Sequence, residues 1–208
     1  VVNRTMRAPE RQDLAAPGGV SADLECCLPY IKFLDEALAR LPERFVVRGR
    51  QVRRGVKWVW PSPANHDPVG YFQPGATLFW YEFKSTSADP EVMTRPHFCG
   101  LDPGPRTIFT INASCAYSIA AFSAIPEAEV LFRPLVRLRV VAATRNIIDG
   151  RRPEDGGPTT LAESGHPDGV ILEQIDVSTA EEAAEAAQEA AAAAMAVANN
   201  LGAQLAQQ

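Results

Sequence analysis

Two glutamates one residue apart, Glu127 and Glu129, stand in the stretch "SAIPEAEVLF", Ser123 to Phe132. A proline precedes them and the apolar run Val130-Leu131-Phe132 follows. On an extended segment such residues point to one side, roughly 6–7 Å apart. Two carboxylates held like that repel, and each raises the other's pKa where water is scarce. As a surface feature the pair is a wet strand end. As a site it is a carboxylate pair aimed at a cation or at a developing positive charge. A second cluster is "FKSTS", where Ser85, Thr86 and Ser87 close an aromatic run. Such hydroxyls are turn formers, or donors able to fix a carboxylate or a sugar. A third is "VVRGRQVRRGVK", with Arg48, Arg50, Arg53, Arg54 and Lys57. It reads either as a solvated hairpin face or as an anion site, in which an arginine forks onto phosphate oxygens and Gly49 lets the backbone come close.

The elements that must position these groups follow from pattern. "PYIKFLDEALARLP" predicts a helix, with Ile31, Leu34, Leu38 and Leu41 at spacings of three and four, Pro29 in its first turn and Pro42 at its stop. "RFVVRGRQVRRG" reads as extended, broken by Gly49 and Gly55. "ATLFWYEFKSTS" and "RTIFTINAS" each read as a strand, and "EVLFRPLVRLRVVAATR" as one or two with a bend at Pro134. A turn-rich loop, "DGRRPEDGGPTTLAESGHPDG", precedes a last strand, "GVILEQIDV". One helix or a few followed by many short strands gives an α+β fold. Residues 1–20 read as a polar tail, 21–177 as the working domain, and 178–208 as an alanine-rich helix whose Ser178 and Glu181 form a capping box.

Composition narrows the function. The 208 residues carry 46% apolar and 22% charged side chains, the balance of one globular domain. A net charge of -5 argues against nucleic acid as the main partner. No apolar run approaches a membrane span. The chain opens Val-Val-Asn with no charged-then-apolar leader, as a trimmed or mature chain would. Cys26, Cys27, Cys99 and Cys115 form no C-x-x-C, and His66, His97 and His166 lie far apart, so a zinc site is not expected. Free thiols are the expectation, with a Cys99–Cys115 bridge as the alternative.

The order of the three clusters says more than any one of them. A helix ending in Leu-Pro leads to Val-Arg-Gly at 47–49, then to Ser-Thr-Ser at 85–87, then to Phe-Ser-x-x-Pro-Glu-x-Glu-Val-Leu at 122–131. From about Tyr30 to Thr144 this resembles the arginine-specific mono-ADP-ribosyltransferases, the R-S-E class shared by vertebrate ecto-enzymes and bacterial toxins. "TIFTINASCAYSIAAFSAIPEAEVLFRP" is especially similar to the vertebrate type. The resemblance implies an NAD cleft between two roughly perpendicular β-sheets flanked by helices. It implies Arg48 on the NAD phosphates and Gly49 on the nicotinamide amide. Ser85 would brace the catalytic glutamate and the nicotinamide ribose, with Thr86 and Ser87 in the same NAD-binding motif. Glu129 would be the catalytic carboxylate, and Glu127 with Phe122 would receive the acceptor. The family uses NAD as co-substrate, with no prosthetic group and no metal, and modifies an arginine-bearing protein; its vertebrate members are secreted or at the cell surface. Val47 stands where the family often has an aromatic residue, and no cysteine lies beyond Cys115 to supply the disulfides of the vertebrate enzymes. An NAD glycohydrolase on the same site, and a catalytically silent adaptor, are the competing readings.

Overall fold

Ser21 begins the first helix, α1 (Ala22–Ala39): its hydroxyl accepts the Leu24 N–H at 3.3 Å, and Asp23 and Glu25 lie in the first turn near the positive helix end. The computed structural model describes Met6 and residues 21–102, 104–145 and 167–175. The helix therefore starts earlier than its apolar spacing indicates, and Pro29 lies inside it rather than in its first turn. The cap at Ser21, not the proline, sets the start. Leu24, Ile31, Leu34 and Leu38 turn inward and meet Tyr117 of the sheet and Phe83, with Met6 closing the cluster.

The strands are β1 (Val46–Val47), β2 (Arg50–Val56), β3 (Thr77–Trp80), β4 (Lys84–Ser87), β5 (Thr107–Ala113), β6 (Ala116–Ser118), β7 (Glu129–Phe132), β8 (Val136–Thr144) and β9 (Asp168–Gln174). A short helix, α2 (Pro68–Tyr71), precedes β3, and 3-10 turns cover Glu43–Phe45, Pro90–Thr94 and Ala120–Phe122. The strands join in the order β1-β6-β7-β4-β2-β5-β9-β8-β3. β5 and β9 run parallel and the other neighbours antiparallel.

The join between β2 and β4 rests on one residue pair, Arg53 with Ser87, whereas β2 and β5 pair from Arg50–Ala113 to Val56–Thr107. The sheet thus consists of two blocks, β1-β6-β7-β4 and β2-β5-β9-β8-β3, meeting at a narrow bridge. Both blocks fill one core: Val130 and Phe132 of the first pack with Val52, Phe109, Ile111, Leu138 and Leu172 of the second. α1 covers the first block. The mixed α+β class is as expected, and the nine strands are hydrogen-bonded into one mixed sheet that narrows at this bridge.

Other expectations are corrected. "ATLFWYEFKSTS" is two strands, not one: β3 pairs with β8 at one edge, and β4 with β7 in the other block. The link Tyr81–Phe83 carries the chain across, placing Trp80 against the inter-block core and Phe83 in the core under α1. An aromatic run signals burial, but its pattern does not say that it changes partners. β6, too short to stand out in sequence, connects β1 to β7. Cys99 and Cys115 are free thiols, as expected, and Cys99 is buried. Pro134 does separate β7 from β8, with Leu135 at φ 63°. The expected tail apart from Met6, most of the turn-rich loop and the alanine-rich helix lie outside the described residues. No helix among the described residues is long and apolar enough to cross a membrane.

Candidate active site

β4 and β7 pair with Ser85 opposite Leu131 and Ser87 opposite Glu129. Residues facing each other across such a ladder share a face, and so do alternate residues along a strand, so Ser85, Ser87, Glu129 and Leu131 lie on one side. On that side the Ser85 hydroxyl donates to Glu129 Oε1 at 2.7 Å. The strand beneath is fixed from behind. Thr86, 3% exposed, donates its hydroxyl to the Val130 carbonyl at 2.7 Å, and Arg54 Nη1 donates to the Ser85 carbonyl at 2.7 Å. Thr86 therefore holds β4 to β7, with its hydroxyl turned to the backbone.

Ser87 holds the turn that carries Glu127. Its hydroxyl donates to the Glu127 carbonyl at 2.6 Å and accepts the Asp89 N–H at 3.0 Å, while the Ala88 N–H donates to the Ala128 carbonyl at 3.0 Å. Ala128 has φ 46°, a left-handed conformation uncommon outside glycine. The segment is therefore not extended between the two glutamates. The expectation of a side-by-side carboxylate pair is corrected: Glu129 goes to Ser85, and Glu127 goes to two side chains on another segment.

Those partners are Arg95 and His97. His97 Nε2 is 3.1 Å from Glu127 Oε1, and Arg95 Nη1 is 3.7 Å from the same oxygen. Arg95 Nη2 also donates to the Pro126 carbonyl at 3.0 Å. Sequence reading does not find these partners, since nothing in the loop after Pro90 marks an arginine and a histidine that fold back across about thirty positions. Phe122 ends the 3-10 turn Ala120–Phe122; it is 65% exposed and 5.3 Å, ring to ring, from Phe45.

The arginine-rich stretch splits by position. Arg48 follows β1 and is exposed; Nε donates to Glu43 Oε1 at 3.2 Å and Nη1 to the Ser114 carbonyl at 3.4 Å. The Glu43 hydrogen bond is the main cause of its raised pKa. Gly49 sits at φ +61°, and its N–H donates to the Ala113 carbonyl at 2.8 Å. The conformation, not crowding, asks for glycine there: an added Cβ would meet nothing within 4 Å. Arg53 stands opposite Ser87, which stands opposite Glu129, so the three form a row across β2, β4 and β7. At two strand spacings Arg53 is roughly 10 Å from Glu129, backbone to backbone. It is half-buried.

Lys84 alternates with Ser85 and faces the other way. On that side a cavity of about 390 Å³ is lined by Trp58, Trp60, Trp80, Glu82 and Lys84 among others, with Glu82 and Lys84 ion-paired. Among the described residues no group of His, Cys, Asp and Glu is arranged to hold a metal ion.

No protein-family model matches the chain, and no curated protein matches it. Solved structures do. The ADP-ribosyltransferase Vis from Vibrio splendidus, in a complex with agmatine, is 25% identical with a TM-score of 0.55; the match covers 86% of this chain and 68% of that one. HopU1 of Pseudomonas syringae is 20% identical with a TM-score of 0.57, covering 84% of this chain and 64% of that one. The Salmonella SpvB domain is 20% identical with a TM-score of 0.50, covering 84% of each. All three are bacterial, so they support the wider fold rather than its vertebrate-type branch. The chain has the ADP-ribosyltransferase fold.

Proposed function

We propose that the chain moves ADP-ribose from NAD onto an arginine guanidinium and releases nicotinamide. The observation that carries this reading is the 2.7 Å bond from Ser85 to Glu129. It holds a carboxylate oxygen in place on the face the Ser-Thr-Ser strand presents. Breaking the nicotinamide–ribose bond builds an oxocarbenium-like centre, as in glycoside hydrolysis. A fixed carboxylate stabilises that charge without reorganising, and its second oxygen can accept from the ribose 2′-hydroxyl. Arg48 and Gly49, at the end of β1 in the same block, are the proposed contacts for the NAD phosphates and the nicotinamide amide. Because the Gly49 N–H is bonded to Ala113, its carbonyl is the group proposed for the amide. Ser87, whose hydroxyl is engaged with the Glu127 turn, supports the site through that turn. Glu127, together with Phe122, is proposed to receive the acceptor, since a carboxylate can accept paired hydrogen bonds from a guanidinium. Agmatine, the ligand named with Vis, is itself a guanidine.

The glycohydrolase reading has one observation in its favour. Glu127 is already engaged by Arg95 and His97, and water needs no such carboxylate to hold it. Incubation with NAD and agmatine decides between them, with nicotinamide and ADP-ribosyl-agmatine measured separately. Transfer predicts both products. Nicotinamide with free ADP-ribose alone assigns the hydrolase, and neither product overturns the reading.

A further inference from the structure

Glu127 is proposed above as the carboxylate that holds an acceptor guanidinium, and the chain already places a guanidinium there. Arg95 lies with Nη1 3.7 Å from Glu127 Oε1 and Nη2 donating at 3.0 Å to the carbonyl of Pro126, the residue before. Its side chain is 36% exposed, whereas that of Glu127 is only 14% exposed. The carboxylate is thus covered, in part by a group chemically identical to the one it is proposed to receive. Arg95 belongs to a different segment, the one leaving the 3-10 turn Pro90–Thr94, so its position is made by the fold and not by sequence proximity to the glutamates.

Resting on the transferase reading, we infer that Arg95 occupies the acceptor seat in the resting chain. An external guanidine must displace it, and Arg95 is itself modified when none is offered. The step balances. The bond between the ribose anomeric carbon and the nicotinamide nitrogen breaks, and its electron pair leaves with nicotinamide. A nitrogen of Arg95 bonds to that carbon and gives up one proton, which Glu127 accepts and passes to water. Arg95 as a mere prop for Glu127 predicts the opposite kinetics, because removing a prop would weaken acceptor binding, whereas removing a competitor strengthens it.

The test uses the full chain with adenine-labelled NAD, with and without agmatine, in wild type, Arg95→Lys and Arg95→Ala; thermal melts confirm that each variant folds. Peptide mapping is expected to place the label on Arg95 in wild type, with a first-order rate that does not change with protein concentration and that agmatine suppresses. Arg95→Lys, which keeps the charge but offers no guanidinium, is expected to lose the label at that position. Arg95→Ala is expected to lower the KM for agmatine about 2- to 5-fold, the range a partly exposed ion pair carries. If nicotinamide is released and agmatine modified while Arg95 stays unlabelled, or if KM rises in Arg95→Ala, the inference is overturned and the transferase reading stands. A labelling rate that climbs with protein concentration also overturns it, because the reaction is then between molecules. Absence of any nicotinamide release removes both readings together.

Discussion

Ser85 and Glu129 lie on neighbouring strands, diagonal to one another in the β4–β7 register, and the serine hydroxyl donates to the carboxylate at 2.7 Å. The bond fixes where a negative charge stands before any substrate arrives. Glu129→Gln keeps the shape and loses the charge. It is expected to slow nicotinamide release by about 10²–10³-fold, the usual cost of one such electrostatic group. Ser85→Ala removes only the brace and is expected to cost about 10-fold or somewhat more, in line with a hydrogen bond to a charged group. The check is kcat for nicotinamide release, with circular dichroism melts to show that the fold is kept. Wild-type turnover in Glu129→Gln would remove that residue from the chemistry.

Arg48→Lys is expected to weaken NAD binding, because lysine keeps the charge but not the planar fork that grips phosphate oxygens. Titration calorimetry reads this directly. Should affinity not change, Arg53 is the next arginine to test. It stands in the row with Ser87 and Glu129, whereas Arg54 is tied to the Ser85 carbonyl on the far side of the strand.

Glu127→Gln separates acceptor from donor. The variant is expected to lose transfer to agmatine while still hydrolysing NAD, since a charge-assisted paired contact worth roughly 1.5–3 kcal/mol is lost only for the guanidinium. A two-product assay on the one variant checks it. If both activities fall together, Glu127 serves the turn or the NAD site instead. That outcome has a physical basis, since the carbonyl of the same residue is held by Ser87.

Cys99 gives a pH signature. Burial pushes its thiol from 9.0 up to about 11. The folded chain therefore keeps the proton over a range in which the unfolded chain releases it. The contribution to stability is whole below about pH 9 and is lost progressively as pH rises towards 11. Two pH units correspond to at most about 3 kcal/mol. Denaturant melts between pH 9 and 11 are expected to fall more steeply for wild type than for Cys99→Ala.

Gly55 lies under the segment that leads to Arg95 and His97. An added Cβ would come within 2.7 Å of Cys99 Sγ and 3.1 Å of both the Cys99 backbone nitrogen and Met93 Sδ. Gly55→Ala is expected to cost about 1–3 kcal/mol in a urea melt, as overpacking does. By shifting the loop that carries Arg95 away from Glu127, it is also expected to lower the KM for agmatine. An unchanged melt would show that the loop shifts freely over β2.

What the sequence determined by itself was the inventory and its order. The α+β class, the helix before Pro42, β5, β7, β8 and β9 were legible because hydrophobic periodicity and turn residues are local signals. The pairing of Ser85 with Glu129 came only through family resemblance; no local pattern links residues 44 positions apart. Tertiary structure alone decided the rest. It divided one aromatic run between two blocks of strands, because each half buries its rings in a different core. It left Ser21 rather than Pro29 to start the helix, because a cap satisfies backbone donors that a proline cannot. It turned two glutamates that would be side by side on an extended strand towards different partners, because Ala128 takes a left-handed φ that alternation does not foresee. And it brought Arg95 and His97 to Glu127, a meeting made by chain reversal and strand register, which no short stretch of sequence contains.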